Sequence, residues 1–164
     1  MMQVIRLRDA SFLAPPSKLQ QTRGMLGRTY PGQDCALARA LEMIGERWTM
    51  LIIRDARLRG AKRFGEFQKS LGIATNVLAK RLDHLVEQGL MSLDAATGEY
   101  RLTDSGNDLL VVAIAATEWG ERWIAKGPIK FVDSSSEQSV TAALIDRATG
   151  ERVQNATVES RPRD

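Results

Sequence analysis

Between Arg63 and Gly89 two short apolar-periodic runs stand back to back with only a glycine-bearing turn between them, and that spacing leaves few folds open. In the first run Phe64, Phe67 and Leu71 share one helical face, and Gly72 closes it. In the second, Leu78, Leu82, Leu85 and Val86 form one buried stripe, Thr75 is placed to cap the start and Gly89 ends it. Two helices around so tight a turn make a helix-turn-helix unit.

The flanking segments extend that unit in a definite order. Upstream, Asp34 offers an N-cap to a helix carrying Leu37, Ala40, Leu41 and Ile44 as far as Gly45, and a second helix runs from Trp48 to Leu58 before Gly60. Downstream, Leu90 to Leu93 and Glu99 to Leu102 read as two short strands around Asp94-Ala95-Ala96-Thr97-Gly98, whose glycine supplies the positive φ of a hairpin turn. Helix, turn, helix and hairpin in that order predict a winged helix-turn-helix, mainly α with a small β component. Thr103 or Asp104 then caps a long last helix through about Lys126, with Leu109, Leu110, Val112, Ala116, Trp119 and Trp123 among its apolar positions. That many apolar positions exceed what one small domain needs to cover.

Residues 1–33 carry Pro15, Pro16, Gly24, Gly27, Pro31 and Gly32 without a sustained apolar period, and read as a flexible arm. The domain itself spans 34–127. Beyond Pro128 the pattern changes to strands, Ile129 to Val132 and Val140 to Ile145, followed by Asp146-Arg147-Ala148-Thr149-Gly150-Glu151, which nearly repeats the turn at Asp94 to Glu99. Residues 128–164 are therefore expected to form a C-terminal β-hairpin extension.

Charge is distributed unevenly along this order. From Arg39 to Arg81 there are ten basic and four acidic residues, whereas from Leu82 onward there are eight basic and fourteen acidic, so one surface is expected to face a polyanion. A solvated basic face without a partner is the plain alternative. The single cysteine, Cys35, excludes an intrachain disulfide and any thiolate-rich metal site, and the single histidine, His84, leaves no metal or catalytic constellation. Neither a run of about 20 apolar residues nor a signal-like apolar core appears. These features point to a cytoplasmic protein that is not an enzyme and needs no cofactor.

With these elements placed, several ordered motifs resemble the HxlR-type bacterial transcription regulators. Cys35 with Ala40-Leu41 and Ile44-Gly45-Glu46-Arg47-Trp48-Thr49-Met50-Leu51-Ile52-Ile53-Arg54-Asp55 is similar to the family's opening. Arg63-Phe64-Gly65-Glu66-Phe67 and Gly72 to Leu82 are similar to its helix-turn-helix, and Glu99-Tyr100-Arg101-Leu102-Thr103 with Gly106 to its wing exit. The resemblance spans about Cys35 to Lys126. It implies a regulator of transcription, usually a repressor, that binds double-stranded DNA at an inverted repeat as a homodimer joined through its first and last helices. On that basis Leu37, Leu41, Leu110, Ala116, Trp119 and Trp123 are expected at the dimer interface.

At about 100° per residue, the stripe of Leu78, Leu82 and Leu85 turns Asn76, Lys80 and His84 outward. Asn76 is suited to an adenine edge, Lys80 to guanine or phosphate, Thr75 to phosphate or a thymine methyl, and Arg81 on the flank to the backbone; Ala79 shares that edge. For each polar residue the plain reading is a solvated side chain or a cap. The wing tip, Asp94 to Glu99, lacks Arg and Lys, so phosphate contacts are assigned instead to Arg101 and to Lys62 and Arg63 of the Arg57 to Arg63 loop. Cys35 has two readings, a packed structural cysteine and, as in some relatives, a redox sensor whose thiolate a helix N-terminus favours and Asp34 opposes. A small-molecule effector is left open, with the tail as one wall of its site or as a cover for the dimer. A winged helix that docks a protein and never touches DNA is the competing function.

Overall fold

The computed structural model describes residues 30–162. Most of the expected arm, residues 1–29, lies outside the described residues. Eight regular elements follow one another: α1 (Ala36–Ile44), α2 (Thr49–Leu58), α3 (Phe64–Leu71), α4 (Thr75–Glu87), β1 (Met91–Asp94), β2 (Glu99–Leu102), α5 (Asp104–Asp108) and α6 (Leu110–Trp123). A short 3₁₀ turn, Asn155–Thr157, lies in the tail. Strands β1 and β2 pair antiparallel with Met91 opposite Leu102 and Asp94 opposite Glu99, which is the hairpin of a winged helix.

The core sits where α2, α3, α4 and the base of the hairpin converge. Ile52, Ile53, Phe67, Leu78, Leu82, Leu85 and Met91 are all at most 2% exposed, so the α4 stripe legible in the sequence is the stripe that packs. Each such side chain contributes about 1.5–3 kcal/mol by leaving water. Between α3 and α4 the chain reverses at Gly72, whose φ of 61° is a conformation glycine adopts without strain. Glu66 fixes the start of α3 by accepting hydrogen bonds from the amides of Lys62 (2.7 Å) and Arg63 (2.9 Å), and these donors hold its carboxyl below the usual range.

Helix α5 is tied to the end of α4. The Thr103 and Ser105 hydroxyls donate to the Gly89 carbonyl at 2.7 and 3.0 Å, and Thr103 also caps α5 by accepting from the Gly106 amide. Gly106 is buried so close to the Leu90 carbonyl that no β-carbon fits between them.

Three expectations change. The last helix is not continuous: the chain turns at Leu109, whose amide bonds back three residues to Gly106 while its side chain tucks against the core, and α6 starts anew at Leu110. The tail does not form the strands expected at 129–132 and 140–145. It makes two single antiparallel bridges, Val132 with Ser139 and Ile145 with Arg152. One reason is visible at Ala142, whose amide donates to Glu118 Oε2 of α6 at 3.2 Å and is therefore lost to a ladder. The caps also differ, since Cys35 occupies the N-cap of α1 in place of Asp34, and Ala74 that of α4 in place of Thr75.

The repeated turn does recur in structure. Asp94 Oδ1 accepts from the amides of Ala96 (2.9 Å) and Thr97 (3.4 Å), and Asp146 Oδ1 accepts from those of Ala148 (2.8 Å) and Thr149 (2.9 Å). In both turns the aspartate carbonyl then takes the glycine amide, Gly98 or Gly150.

Candidate nucleic-acid interface

The exposed edge of α4 begins at its N-terminus. Ala74 at the N-cap has no side chain that satisfies the first amides, so the positive end of the helix is uncovered there. Thr75, Asn76 and Lys80 are exposed, and Ala79 and His84 are half-buried beside them. Thr75 does not cap the helix; its hydroxyl accepts from Gln68 Nε2 at 2.7 Å and so braces α3 against α4. Further along, Asp83 and Glu87 are exposed and acidic. The polar edge thus changes sign after its first two turns.

Arg81 does not belong to that edge. Three residues after Leu78 and four before Leu85, it lies about 60° and 40° from them and therefore inside the buried arc rather than on its flank. Its side chain is 5% exposed, and Nη2 donates to Glu46 Oε2 at 2.7 Å. The pair connects α4 to the turn between α1 and α2. Arg81 is accordingly a buried structural cation and not a backbone contact.

At the turn end of the wing, Arg63 from a distant part of the sequence joins Glu99 and Arg101. The Lys62 carbonyl accepts from the Tyr100 amide at 2.7 Å, laying the loop before α3 along β2. Glu99 then receives Arg63 Nη2 at 3.5 Å on Oε1 and Arg101 Nη2 at 2.8 Å on Oε2, while both guanidinium side chains stay about 60% exposed. Lys62 is also exposed. Two arginines on one carboxylate leave a net positive charge facing outward.

Tyr100 joins this cluster to the helices. Its ring meets Phe67 edge-on, with centroids 6.4 Å apart, and its hydroxyl is pushed up in pKa first by burial and then by the negative charge of Asp83 on α4. In the sequence Tyr100 and Glu99 carry no signal of a role beyond their place in the wing motif. Their roles rest on contacts with Phe67, Arg63 and Asp83, and no local pattern carries those contacts. At the tip, Asp94 has its carboxyl held below the usual range by Thr97 and Ala96, so it stays ionised.

Apolar side chains lie open on α1 and on one face of α6. Leu37 and Leu41 of α1, and Val112, Ala116, Trp119 and Trp123 of α6, are exposed, Trp119 and Trp123 by 60% and 69%. Leu110 is half-buried and sits about 180° round the helix from Trp119, so it faces inward and leaves the stripe. Val112, seven residues before Trp119, takes its place. At the start of α1 the Cys35 thiol is exposed rather than packed. The amides of Ala38 and Leu37 lower its pKa and Arg39 adds to this; Asp34 opposes them, itself paired to Arg39 at 2.8 Å.

Among the described residues no group of three or more His, Cys, Asp and Glu side chains comes together to hold a metal, and no helix is long and apolar enough to cross a membrane.

Comparison with known proteins agrees with this geometry. The model of the HxlR-like helix-turn-helix family matches residues 43–128. An uncharacterised HTH-type transcriptional regulator of Mycobacterium tuberculosis is 37% identical over 147 residues, spanning 84% of this chain and 91% of the relative. The crystal structure of PA1607, described as a candidate transcription factor, superposes with a TM-score of 0.70 at 39% identity, over 79% of this chain and 96% of that one. A second candidate transcription factor, PA1374 of Pseudomonas aeruginosa, gives a TM-score of 0.54 at 41% identity, over 78% and 93% of the two chains.

Proposed function

Because the chain belongs to the HxlR-like helix-turn-helix family and is a transcriptional regulator of that type, we propose that it acts in the cytoplasm as a homodimeric repressor on an inverted-repeat operator. The observation that carries this reading is the exposed edge formed by Thr75, Asn76 and Lys80 at the open N-terminus of α4, flanked by the outward-facing Lys62, Arg63 and Arg101. Asn76 and Lys80 read base edges. Thr75, Ala79 and His84 line the groove, and the three cations beside the wing grip phosphate. Residues 34–127 are the DNA-binding and dimerisation domain; 1–33 and 128–164 are an arm and an extension around it.

The dimer forms through Leu37, Leu41, Ala116, Trp119 and Trp123, together with Val112. Two tryptophans at i and i+4, both open to water in one protomer, favour this use, since aromatic side chains dominate well-packed interfaces. Pairing there sets two copies of α4 in successive major grooves about one helical turn apart. Trp119→Ala is expected to give monomers or insoluble chain; an unaltered dimer by light scattering removes α6 from the interface.

DNA binding is tested by titrating the protein against a duplex from its own upstream region and a random duplex at two salt concentrations. A protein that neutralises several phosphates shows a logarithmic salt slope of about −0.9 for each. A flat response, with equal affinity for both duplexes, indicates instead a winged helix that docks a protein.

Regulation by a redox signal or a small effector completes the proposal. The exposed Cys35 thiol, with its thiolate favoured by the Ala38 and Leu37 amides, suits reaction with oxidants. Cys35→Ser is expected to abolish the oxidant response of operator binding, and an unchanged response eliminates Cys35 as sensor.

A further inference from the structure

A cavity of about 450 Å³ lies between the end of α2, the inner face of α6 and the first residues of the tail. Its volume is within the roughly 300–1,000 Å³ range of small-molecule sites. Apolar walls come from Leu58, Ile124, Ile129 and Phe131, of which Ile124 and Ile129 remain 76% and 51% exposed. The dimer stripe does not account for this exposure. Gly120 and Ile124 lie about 100° round α6 from Trp119 and Trp123, and the wall is completed by α2 and the tail.

Arg54 and Arg59 also line the cavity. Both bind the fully buried Asp55, and both use the same oxygen, Oδ1: Arg54 through Nε at 2.8 Å and Nη2 at 2.7 Å, Arg59 through Nε at 3.5 Å. Two guanidinium groups thus share one carboxylate. Among the described residues, Arg54 Nη1 and Arg59 Nη2 have no hydrogen-bond partner, which leaves donors and positive charge beside an apolar chamber. Glu121 also lines the cavity, with Oε1 3.3 Å from the Gly127 amide that donates to it.

We propose that this cavity is an effector site for a small organic anion, an apolar body ending in one carboxylate, with the carboxylate held by Arg54 and Arg59. The site is coupled to the DNA-binding unit through Arg59, whose Nη1 donates to Ser70 Oγ on α3 at 2.7 Å. An anion that draws Arg59 toward itself weakens that tie between α2 and α3 and lowers operator affinity. The regulatory consequence rests on the operator-binding reading above; the binding site does not.

Gly120 supplies the decisive variant. A β-carbon built there meets nothing within 4 Å, so Gly120→Leu projects into the open cavity without a backbone clash. Titration calorimetry on the full chain compares 2-naphthoate with its neutral amide, 2-naphthamide. One naphthoate is expected to bind per chain, with the amide at least about tenfold weaker because it lacks the charge that two guanidinium groups recognise. Arg59→Gln weakens naphthoate by about tenfold and leaves the amide unchanged. Gly120→Leu weakens both by at least about tenfold without lowering the melting temperature. Equal binding of acid and amide, equal binding by wild type and Gly120→Leu, or no binding of naphthoate overturns the site.

Saturating naphthoate is expected to reduce operator affinity by about fivefold or more, the lower end of ordinary allosteric coupling. Unchanged operator affinity at saturation overturns the coupling through Arg59. Should the protein bind no DNA under any condition, the operator reading falls while the calorimetric result stands separately.

Discussion

Lys80 and Arg81 are adjacent cations on the same helix, and replacing each with alanine should have opposite consequences. Arg81 is 5% exposed and bonded to Glu46, which is 23% exposed. Removing one member of a fully buried pair costs about 3–5 kcal/mol, because the remaining charge keeps its desolvation penalty. Water reaches part of Glu46 and screens the loss, so about 2–4 kcal/mol is expected for Arg81→Ala. For a compact unit of this size that lowers the melting temperature by about 10–20 °C. Urea unfolding followed by circular dichroism should show the same change in midpoint at constant m. The double replacement Arg81→Met with Glu46→Leu removes both charges and keeps the volume, and should recover most of the loss. If Arg81→Ala melts within about 2 °C of wild type yet loses operator affinity, the guanidinium is available to DNA and the buried-pair account is wrong.

Three further replacements probe the surrounding structure. Lys80→Ala should lower operator affinity by about 1–3 kcal/mol and leave stability within about 0.5 kcal/mol, measured by titration and thermal melting; wild-type affinity takes Lys80 out of the interface. Gly106→Ala sets a methyl against the Leu90 carbonyl and should destabilise by about 2 kcal/mol or more, unless α5 shifts, which a melt unchanged from wild type would reveal. Asp94→Asn keeps a side-chain oxygen for the Ala96 and Thr97 amides but removes a charge, so binding to random duplex at low salt should tighten. Because the folded pKa of Asp94 is depressed, whatever its carboxylate contributes to the turn is present at neutral pH and is lost only as acid carries the pH down through that folded value. The tightening should therefore hold across neutral pH, and equal affinity of the two proteins at low salt would show that the tip stays clear of phosphate.

What was legible in the sequence is what short-range physics specifies. The Leu78, Leu82 and Leu85 stripe, the reversal at Gly72 and the paired Asp94 and Asp146 turns depend on residues within a few positions of each other, and all stand as read. Arg81 was misplaced because its neutralising partner lies 35 residues earlier, and without Glu46 a cation at that angle belongs outside. Leu110 is half-buried about 180° round α6 from Trp119, a distinction that a count of apolar positions on a helix does not make. The tail strands failed because Glu118 of α6 takes the Ala142 amide, a contact that alternation within the tail does not encode. Likewise the convergence of Lys62, Arg63 and Arg101 depends on Glu99 and on the backbone bond from Tyr100 to Lys62, which no local pattern encodes.

The distribution of sign along α4 constrains how the helix meets a duplex. Its first two turns expose Thr75, Asn76 and Lys80 beneath uncovered amides, whereas Asp83 and Glu87 make the distal half repulsive to phosphate. The macrodipole acts in the same sense, positive at the N-terminus. A helix lying flat along the groove would force Asp83 and Glu87 toward the backbone, so the favourable approach is end-on, N-terminus first. The wing tip adds a further negative charge, the ionised Asp94. Glu99, paired directly across the hairpin from Asp94, gathers Arg63 and Arg101 at that same end, so two exposed guanidinium groups stand close by to offset the Asp94 charge there.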